Sequence, residues 1–273
     1  MMKIALSGAS GFVASAIKQK FPDFVVINRN DTPSSIKEKL VGVQVVVNLA
    51  GAPIIKRWSE EYKKILYSSR IQTTQKLVNA INESDVEYFI STSAVGIYPD
   101  NMVCDETCEI GNDFLGMLAK AWEEEAFKCN KPTAVLRFGI VLGKDGGALA
   151  QMLTPFKLGV GGIIGDGAMM MSWIDIEDLA RIYEFLINKR VHGVFNATAP
   201  KPVSNYEFTK TLGATLQRPT IFPLPEFILK LIFGEAATVL TGSKEIYPKA
   251  LQEAGFDFLY PDIKSSLNHL LKS

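Results

Sequence analysis

The stretch that decides the fold lies at the start of the chain, Ile4-Ala5-Leu6-Ser7-Gly8-Ala9-Ser10-Gly11-Phe12-Val13-Ala14. An apolar run that enters a glycine-rich turn predicts a β-strand, a phosphate-binding turn and a helix. Gly8 can take the positive φ of a tight turn, Gly11 lets the backbone approach a pyrophosphate, and Ala14 permits close helix packing. The helix N-terminus would offer unpaired N–H groups to phosphates. We therefore predict a dinucleotide site at Gly8, Ser10, Gly11, Phe12 and Val13, although glycine in such a turn can also be purely steric.

The composition narrows the class of protein. A chain of 273 residues can form one large α/β domain with a smaller lobe, burying roughly three quarters of its unfolded surface. Lys plus Arg and Asp plus Glu both number 29, so neither a nucleic acid nor a membrane is predicted as a partner. Three cysteines and two histidines at unsuitable spacing predict no metal site and no disulfide. Without a secretory signal or a long apolar run, the expected compartment is the cytoplasm.

Apolar runs alternate with helix-period segments along the first half of the chain. The predicted strands are Ile4–Ser7, Phe24–Asn28, Val43–Ala50, Tyr88–Ser93, Ala134–Leu142 and, further on, Val194–Thr198. The predicted helices between them include Glu60–Asn82 and Phe114–Lys128. This alternation predicts an α/β fold, a Rossmann-like doubly wound parallel sheet with helices on both faces. The same two helices are candidates for a homodimer interface, by analogy with this fold class.

The composition and the secondary-structure pattern of the sequence change after residue 145. A glycine-rich stretch within 159–173 is predicted to cover a substrate cleft, with Met169–Met171 as an adaptable apolar wall or as ordinary packing. Asp175 and Asp178 are expected to cap a helix. A tail punctuated by prolines then predicts short helices. We predict an NADP-binding domain over 1–200 and a smaller, mostly helical substrate lobe over 201–273.

The end of the second predicted strand bears on cofactor choice. A dinucleotide site places the residue that reads the adenosine ribose about 20 positions after the first glycine, which here is Asn28, followed by Arg29. A neutral amide and a guanidinium suit a 2′-phosphate, whereas an acidic residue would favour a free hydroxyl. NADP is therefore preferred over NAD. Alternatively, Arg29 is only a solvated charge, and Asp31 could fold back on it.

Small and polar residues follow the next two strands. Asn48-Leu49-Ala50-Gly51 lets the chain pass beside an adenosine, and Ser91-Thr92-Ser93 leads to Tyr98. With the N-terminal turn, these segments stand in the order of the extended short-chain dehydrogenase fold. In that fold Ser93 would orient a substrate oxygen, assisted by a tyrosine and a lysine on the following helix. Those two positions are Leu115 and Ala119, and Tyr98 is expected to be structural.

From end to end, the chain resembles the atypical, epimerase-like subfamily of short-chain dehydrogenases, in which a C-terminal domain of unknown function follows an epimerase/dehydratase-like domain. Further segments that match the subfamily include Arg57-Trp58, Ser69-Arg70, Thr73-Thr74, Trp122-Glu123, residues 137–143, Ser172-Trp173-Ile174-Asp175 and Ala254-Gly255-Phe256. The subfamily keeps the serine and generally lacks the tyrosine and lysine. The resemblance implies that Leu49, Ala50 and Ile140 line the cofactor site, Ile140 through a backbone contact beside the nicotinamide. Gly51 is predicted to line it as part of the small-residue segment after the third strand. The resemblance also implies that Arg70, in place of an asparagine, contacts a cofactor phosphate or an anionic substrate, unless it forms a surface ion pair.

Two functions remain open on the sequence. One is an NADP-dependent, epimerase-like oxidoreductase that acts on a small polar substrate, with nucleotide-linked compounds as one option and Ser93 as the catalytic residue. The other is an NADP(H)-binding sensor or scaffold without turnover. The retained Ser93 favours the enzyme, and the missing tyrosine and lysine favour the sensor.

Overall fold

The computed structural model describes residues 2–272. Its strands are β1 Ile4–Ser7, β2 Phe24–Ile27, β3 Val45–Asn48, β4 Tyr88–Ala94, β5 Met102–Cys104, β6 Thr133–Phe138, β7 Ile140–Leu142, β8 Met170–Met171, β9 Trp173–Asp175, β10 Gly193–Ala197, β11 Val203–Ser204 and β12 Lys244–Ile246. Its helices are α1 Phe12–Lys20, α2 Pro33–Lys39, α3 Glu60–Tyr67, α4 Thr73–Asn82, α5 Phe114–Ala126, α6 Gly147–Lys157, α7 Ile176–Lys189, α8 Asn205–Leu216, α9 Glu226–Phe233, α10 Thr238–Thr241, α11 Lys249–Glu253 and α12 Ile263–Lys272.

Six parallel strands form the central sheet in the order β10-β6-β4-β3-β1-β2. Its middle strands are buried on both faces, as the continuous apolar run at Val45–Val47 requires. The chain runs from β1 outward to β2 and then crosses back to β3. This reversal creates a topological switch point between β1 and β3, where doubly wound sheets bind ligands. The predicted Rossmann-like α/β fold is confirmed.

One predicted strand is wrong in its extent. Ala134–Leu142 divides at Gly139 into β6, which belongs to the central sheet, and β7, which pairs with β9. A Cβ atom on Gly139 would lie 2.6 Å from the Ser172 carbonyl oxygen. The close approach of that distant backbone moves the chain from one sheet to the other, and glycine is the residue that permits it.

The predicted helix Glu60–Asn82 carries an irregularity. It consists of α3 and α4 joined without a break by a π-helical turn over Ser68–Gln72. Such turns insert one extra residue per turn and recur at functional sites. Arg70 lies within it.

The C-terminal part packs closely on the rest. Strand β12 pairs in parallel with β5, β11 pairs with β8, and α12 joins α8 in an apolar cluster with Trp173 and Phe208. Asp175 caps α7 by accepting the Glu177 amide, as expected, whereas Asp178 accepts the amides of Leu259 and Tyr260. The region is mostly helical, as predicted; the boundary at 200/201 stays a prediction.

Residues 2–272 contain neither a membrane-spanning helix nor a cluster of metal ligands. No helix there is both long and apolar enough to cross a membrane. No group of three or more His, Cys, Asp and Glu side chains in the same range is arranged to hold a metal ion.

Candidate functional site

The glycine turn after β1 has the geometry that the sequence predicts. Gly8 has a φ of +69°, and a Cβ atom there would lie 2.6 Å from the Leu49 carbonyl oxygen. The Gly11 amide donates to the Gly8 carbonyl at 3.0 Å, and α1 begins at the next residue. Since Gly11 has no side chain to cap the helix, the first-turn N–H groups are left to a ligand. The turn is therefore shaped for a phosphate.

A cleft of about 580 Å³ opens at the switch point. It extends from the glycine turn past the ends of β2 and β3 to the first turns of α4. Its lining is Ser7, Gly8, Ala9, Ser10, Gly11, Lys18, Val26, Ile27, Asn28, Arg29, Asp31, Ile36, Leu49, Ala50, Gly51, Ser69, Thr73, Lys76 and Leu77. This volume is typical of ligand sites.

Buried hydrogen bonds fix the floor of the cleft. Asn48 accepts the Ser7 hydroxyl at 2.6 Å and donates to the Thr74 hydroxyl at 2.8 Å. Its side-chain oxygen also accepts the Ala50 amide at 3.2 Å. One wholly buried amide thereby joins β1, α4 and the small residues after β3. This explains why a polar residue ends a strand of valines.

Cations predominate at the end of the cleft next to β2. Arg29 and Lys76 are exposed on its wall, and Lys18 donates its ammonium to the Ala9 carbonyl, which steadies the glycine turn. Asp31 does not cancel these charges, because it pairs with Lys39 and accepts the Asn28 amide at 2.7 Å. The Lys39 contact lowers the pKa of the Asp31 carboxyl, so it is ionised and neutralised by that ammonium. Within residues 2–272 no carboxylate pairs with Arg29 or Lys76, and two such cations suit a phosphate.

The predicted cofactor residues divide into two groups. Those that line the cleft are Gly8, Ser10, Gly11, Asn28, Arg29, Leu49, Ala50 and Gly51. The side chains of Phe12 and Val13 pack elsewhere, Phe12 beneath the glycines at 143 and 146 and Val13 against the core. Ile140 stands outside this cleft, and its amide already donates to the Ser172 carbonyl at 2.8 Å. A backbone role for Ile140 beside a nicotinamide stays a prediction.

Arg70 is a half-buried cation that has no carboxylate partner among residues 2–272. Its guanidinium donates to the carbonyls of Ala52 at 3.0 Å and Leu66 at 3.3 Å, and it lies over the Trp122 ring. Within residues 2–272, no acidic side chain is in ion-pair distance of it, so the alternative of a surface ion pair is wrong. Burial lowers the pKa of Arg70 to about 10, which leaves it charged at neutral pH. The guanidinium lies against Gly51 at the cleft wall, an arrangement that suits an anion.

Ser93 stands in a buried network. It is 1% exposed and donates its hydroxyl to the Glu123 carboxylate at 2.6 Å. Arg137 binds the same carboxylate through two nitrogens, at 2.8 and 2.7 Å. Although burial alone would lower the pKa of Arg137, these contacts raise it. The proton of Ser93 is therefore held by a buried ion pair and not presented to the cleft.

Tyr98 closes the other end of this network. Its hydroxyl accepts a hydrogen bond from Arg137 at 2.6 Å and donates to Asn196 at 2.8 Å. Burial raises the pKa of Tyr98 to about 12, so the phenol stays protonated. Its placement agrees with the structural role expected for it.

The helix that would carry the tyrosine and lysine offers apolar side chains instead. Leu115 packs close to Gly96, and Ala119 lies in an apolar cluster with Ile97 and Tyr98. Lys120 faces outward, 3.9 Å from Glu124. Helix α5 thus supplies packing and Glu123 but no acid or base toward the cleft.

Several cleft residues were not predicted. Ser69, Thr73 and Lys76 all line it, and their spacing of four and three places them on one helix face. That spacing was a usable signal. The Ser93–Glu123 contact could not be predicted from such a spacing, because 30 positions separate the two residues. Arg137 reaches the same carboxylate because it lies directly opposite Ser93 where β4 pairs with β6.

The NAD dependent epimerase/dehydratase family matches residues 4–198, which include β1, the glycine turn and every strand of the central sheet. The chain belongs to this family. Residues 224–270 match a domain of unknown function, DUF1731. Both confirm the resemblance that the sequence motifs indicated.

Similar proteins match over the whole chain. The chloroplastic SDR39U1 homolog of Arabidopsis thaliana, an epimerase family protein, is 37% identical across 99% of this chain and 87% of its own. The epimerase family protein SERP0438 of Staphylococcus epidermidis is 33% identical across 100% of both. The crystal structure of human epimerase family protein SDR39U1 with NADPH superimposes with a TM-score of 0.90 at 32% identity, covering 99% of each chain.

Proposed function

We propose that this protein binds NADP(H) in the switch-point cleft. The observation that carries the proposal is the pairing of a phosphate-shaped glycine turn with two unneutralised cations, Arg29 and Lys76, at the end where the adenosine ribose would lie. The human relative was crystallised with NADPH. An additional phosphate is the feature that distinguishes NADP from NAD and is the group these cations suit.

Titrations of NADPH and NADH against the purified protein test the cofactor. We expect Arg29→Ala and Lys76→Ala each to weaken NADPH binding by about tenfold, because one charge-assisted contact is worth about 1.4 kcal/mol. The affinity for NADH should not change in either variant. Lys120→Ala, an exposed lysine outside the cleft, is the matched control and should change neither affinity. Equal affinities for NADPH and NADH in the unmutated protein would contradict the proposal.

We further propose that the protein is an epimerase-like oxidoreductase for a small polar substrate. Family membership and the intact cleft support it. When bound, the nicotinamide supplies the hydride. Arg70 would hold an anionic group of the cofactor or substrate at Gly51, because its charge has no carboxylate partner among the described residues. The assays are oxidation of NADPH by panels of carbonyl compounds and sugar nucleotides, and reduction of NADP+ by panels of alcohols.

A second candidate is a sensor or scaffold that binds NADP(H) without turnover. The burial of Ser93 against Glu123 favours it, as do Leu115 and Ala119 on α5. If no substrate oxidises NADPH or reduces NADP+, and Ser93→Ala leaves NADPH affinity unchanged, this candidate is preferred. Substrate-dependent oxidation of NADPH that Ser93→Ala abolishes would establish the enzyme.

Two subsidiary proposals concern assembly and compartment. Exposed Ile65 and Tyr67 on α3, with Met117 and Phe127 along α5, support a homodimer through these helices. Sedimentation equilibrium of Met117→Ser would test it, with dissociation as the expected result. We propose the cytoplasm as the compartment, on the strength of three free thiols.

A further inference from the structure

Exposed apolar side chains gather on one part of the surface. Seven of them, each more than half exposed, come from the end of α6 and from residues 221–232; we call them the apolar patch: Leu158, Val160, Ile221, Phe222, Phe227, Leu231 and Ile232. Isolated exposed apolar residues are ordinary on protein surfaces, but a contiguous group marks an interaction site. The patch is therefore a candidate docking surface.

Backbone contacts bring the two segments that carry the patch together. The Gly165 amide donates to the Leu224 carbonyl at 3.0 Å, and the Leu224 amide donates to the Ile163 carbonyl at 2.7 Å. A Cβ atom on Gly159 would lie 3.6 Å from the Pro219 ring. The loop after α6 thus runs beside residues 219–226, and α9 follows directly. The two segments, some 60 positions apart in sequence, form one surface.

Helix α9 buries Leu229 and packs Phe233 against an apolar cluster, but it leaves its other apolar side chains largely uncovered. Of its eight residues, only Leu229 is buried. Phe227 and Leu231 are one turn apart and 68% and 73% exposed, with Ile232 beside them. A helix this short is marginal without burial of an apolar face, so a partner that covers these side chains would stabilise it.

Basic residues border the patch. Lys157 precedes Leu158, Arg218 precedes Pro219, and Lys230 lies on α9, all three exposed. Arg57 donates to the Leu231 carbonyl at 3.4 Å, which adds a fourth cation at the end of α9. The acidic residues in these two segments are Asp166 and Glu226, and Glu226 lies 3.7 Å from Lys230. The border is cationic on balance.

A second copy of the chain fits this surface poorly. A two-fold contact would place the patch against itself, so the basic border of one protomer would face that of the other. A bilayer with anionic headgroups satisfies both features, since acyl chains accept Phe and Leu side chains while headgroups pair with Lys and Arg. We propose that the apolar patch docks this protein on the surface of a membrane that contains anionic lipid.

The proposal revises the expectation that no membrane is a partner. That expectation followed from a zero net charge and the lack of a basic run in the sequence. Folding brings the basic and apolar residues of separate segments together. Because Val160 of the patch lies within the predicted substrate cover at 159–173, the bilayer would adjoin that cover.

Vesicle flotation tests the docking surface. The intact protein is mixed with vesicles of phosphatidylcholine alone or with added phosphatidylglycerol, and the bound fraction is measured. We expect binding to the anionic vesicles that is at least about tenfold tighter than to the neutral ones, and a loss of about tenfold for Phe227→Ser/Leu231→Ser. The matched control is Val41→Ser/Val103→Ser, which removes two equally exposed apolar side chains elsewhere and should bind like the unmutated protein.

Charge variants complete the experiment. Arg218→Gln/Lys230→Gln should lower binding to anionic vesicles and leave binding to neutral ones as it was. Unchanged NADPH affinity in every variant shows that the proteins are folded. The proposal is overturned if no vesicle binds, if neutral and anionic vesicles bind equally, or if the control variant loses as much binding as Phe227→Ser/Leu231→Ser. It is also overturned if that patch variant merely dissociates a dimer in sedimentation, which would make a second copy the occupant.

Discussion

Removal of the Glu123 carboxylate should be far more damaging than its position on a helix suggests. In Glu123→Ala the Arg137 guanidinium, itself 5% exposed, loses both of its contacts to the carboxylate, and the Ser93 hydroxyl loses its acceptor. Breaking one side of a buried ion pair costs about 3–5 kcal/mol, because the remaining charge stays desolvated and unpaired. We expect a loss of that size in the free energy of unfolding.

The chain contains a matched control for this substitution. Glu125 lies on the same helix and is 7% exposed, as Glu123 is, but its partner Lys128 extends into solvent. Because water can replace the carboxylate at an exposed ammonium, Glu125→Ala should cost much less. A second variant, Glu123→Leu/Arg137→Met, replaces the pair by apolar side chains and should recover much of the loss.

Urea denaturation followed by circular dichroism measures these differences through the transition midpoint and slope. The reasoning is refuted if Glu123→Ala is no more destabilised than Glu125→Ala. The reasoning also fails if Glu123→Leu/Arg137→Met is less stable than Glu123→Ala. That result would mean that the Arg137 charge stabilises the fold even without the Glu123 carboxylate.

Three other predictions follow from single sites. Gly8→Ala should abolish NADPH binding in titration while the protein stays folded, because the new Cβ meets the Leu49 backbone at a positive φ; binding within a factor of about two would contradict this. Arg70→Met should change the unfolding free energy by less than about 1 kcal/mol, because the loss of the guanidinium hydrogen bonds is offset by removal of a desolvated cation. The same substitution should weaken the binding of NADPH, or of the protein's substrate, by about tenfold. Burial raises the pKa of the Asp175 carboxyl, so the folded state binds its proton more tightly than the unfolded chain. The unfolding free energy relative to Asp175→Asn should therefore fall as pH rises through the window between the usual and the raised pKa. A pH-independent difference would show that the carboxyl is unperturbed.

The local features of this protein were predictable from sequence, and the distant ones were not. The glycine turn is recognisable from residues 8–14 because their spacing encodes the positive φ at Gly8 and the start of α1. The break at Gly139 depends on the Ser172 backbone, 33 positions away, and no local preference encodes that approach. The π-helical turn at Ser68–Gln72 could not be predicted from the sequence for a different reason. One inserted residue shifts the apolar pattern of a helix slightly but leaves it helical.

The largest departure concerns Ser93. Its identity and its place on β4 were predicted, but the role of a hydroxyl depends on which partner takes its proton, and that partner comes from α5. A serine that donates to a carboxylate held by Arg137 has only lone pairs left to offer a ligand. Toward a substrate that reaches it, such a serine can act only as an acceptor, for example of a hydrogen bond from a substrate hydroxyl. It cannot donate to a carbonyl oxygen until Glu123 releases it. If the protein is an enzyme, the network therefore favours substrates that present a hydroxyl to Ser93 over those that present a carbonyl.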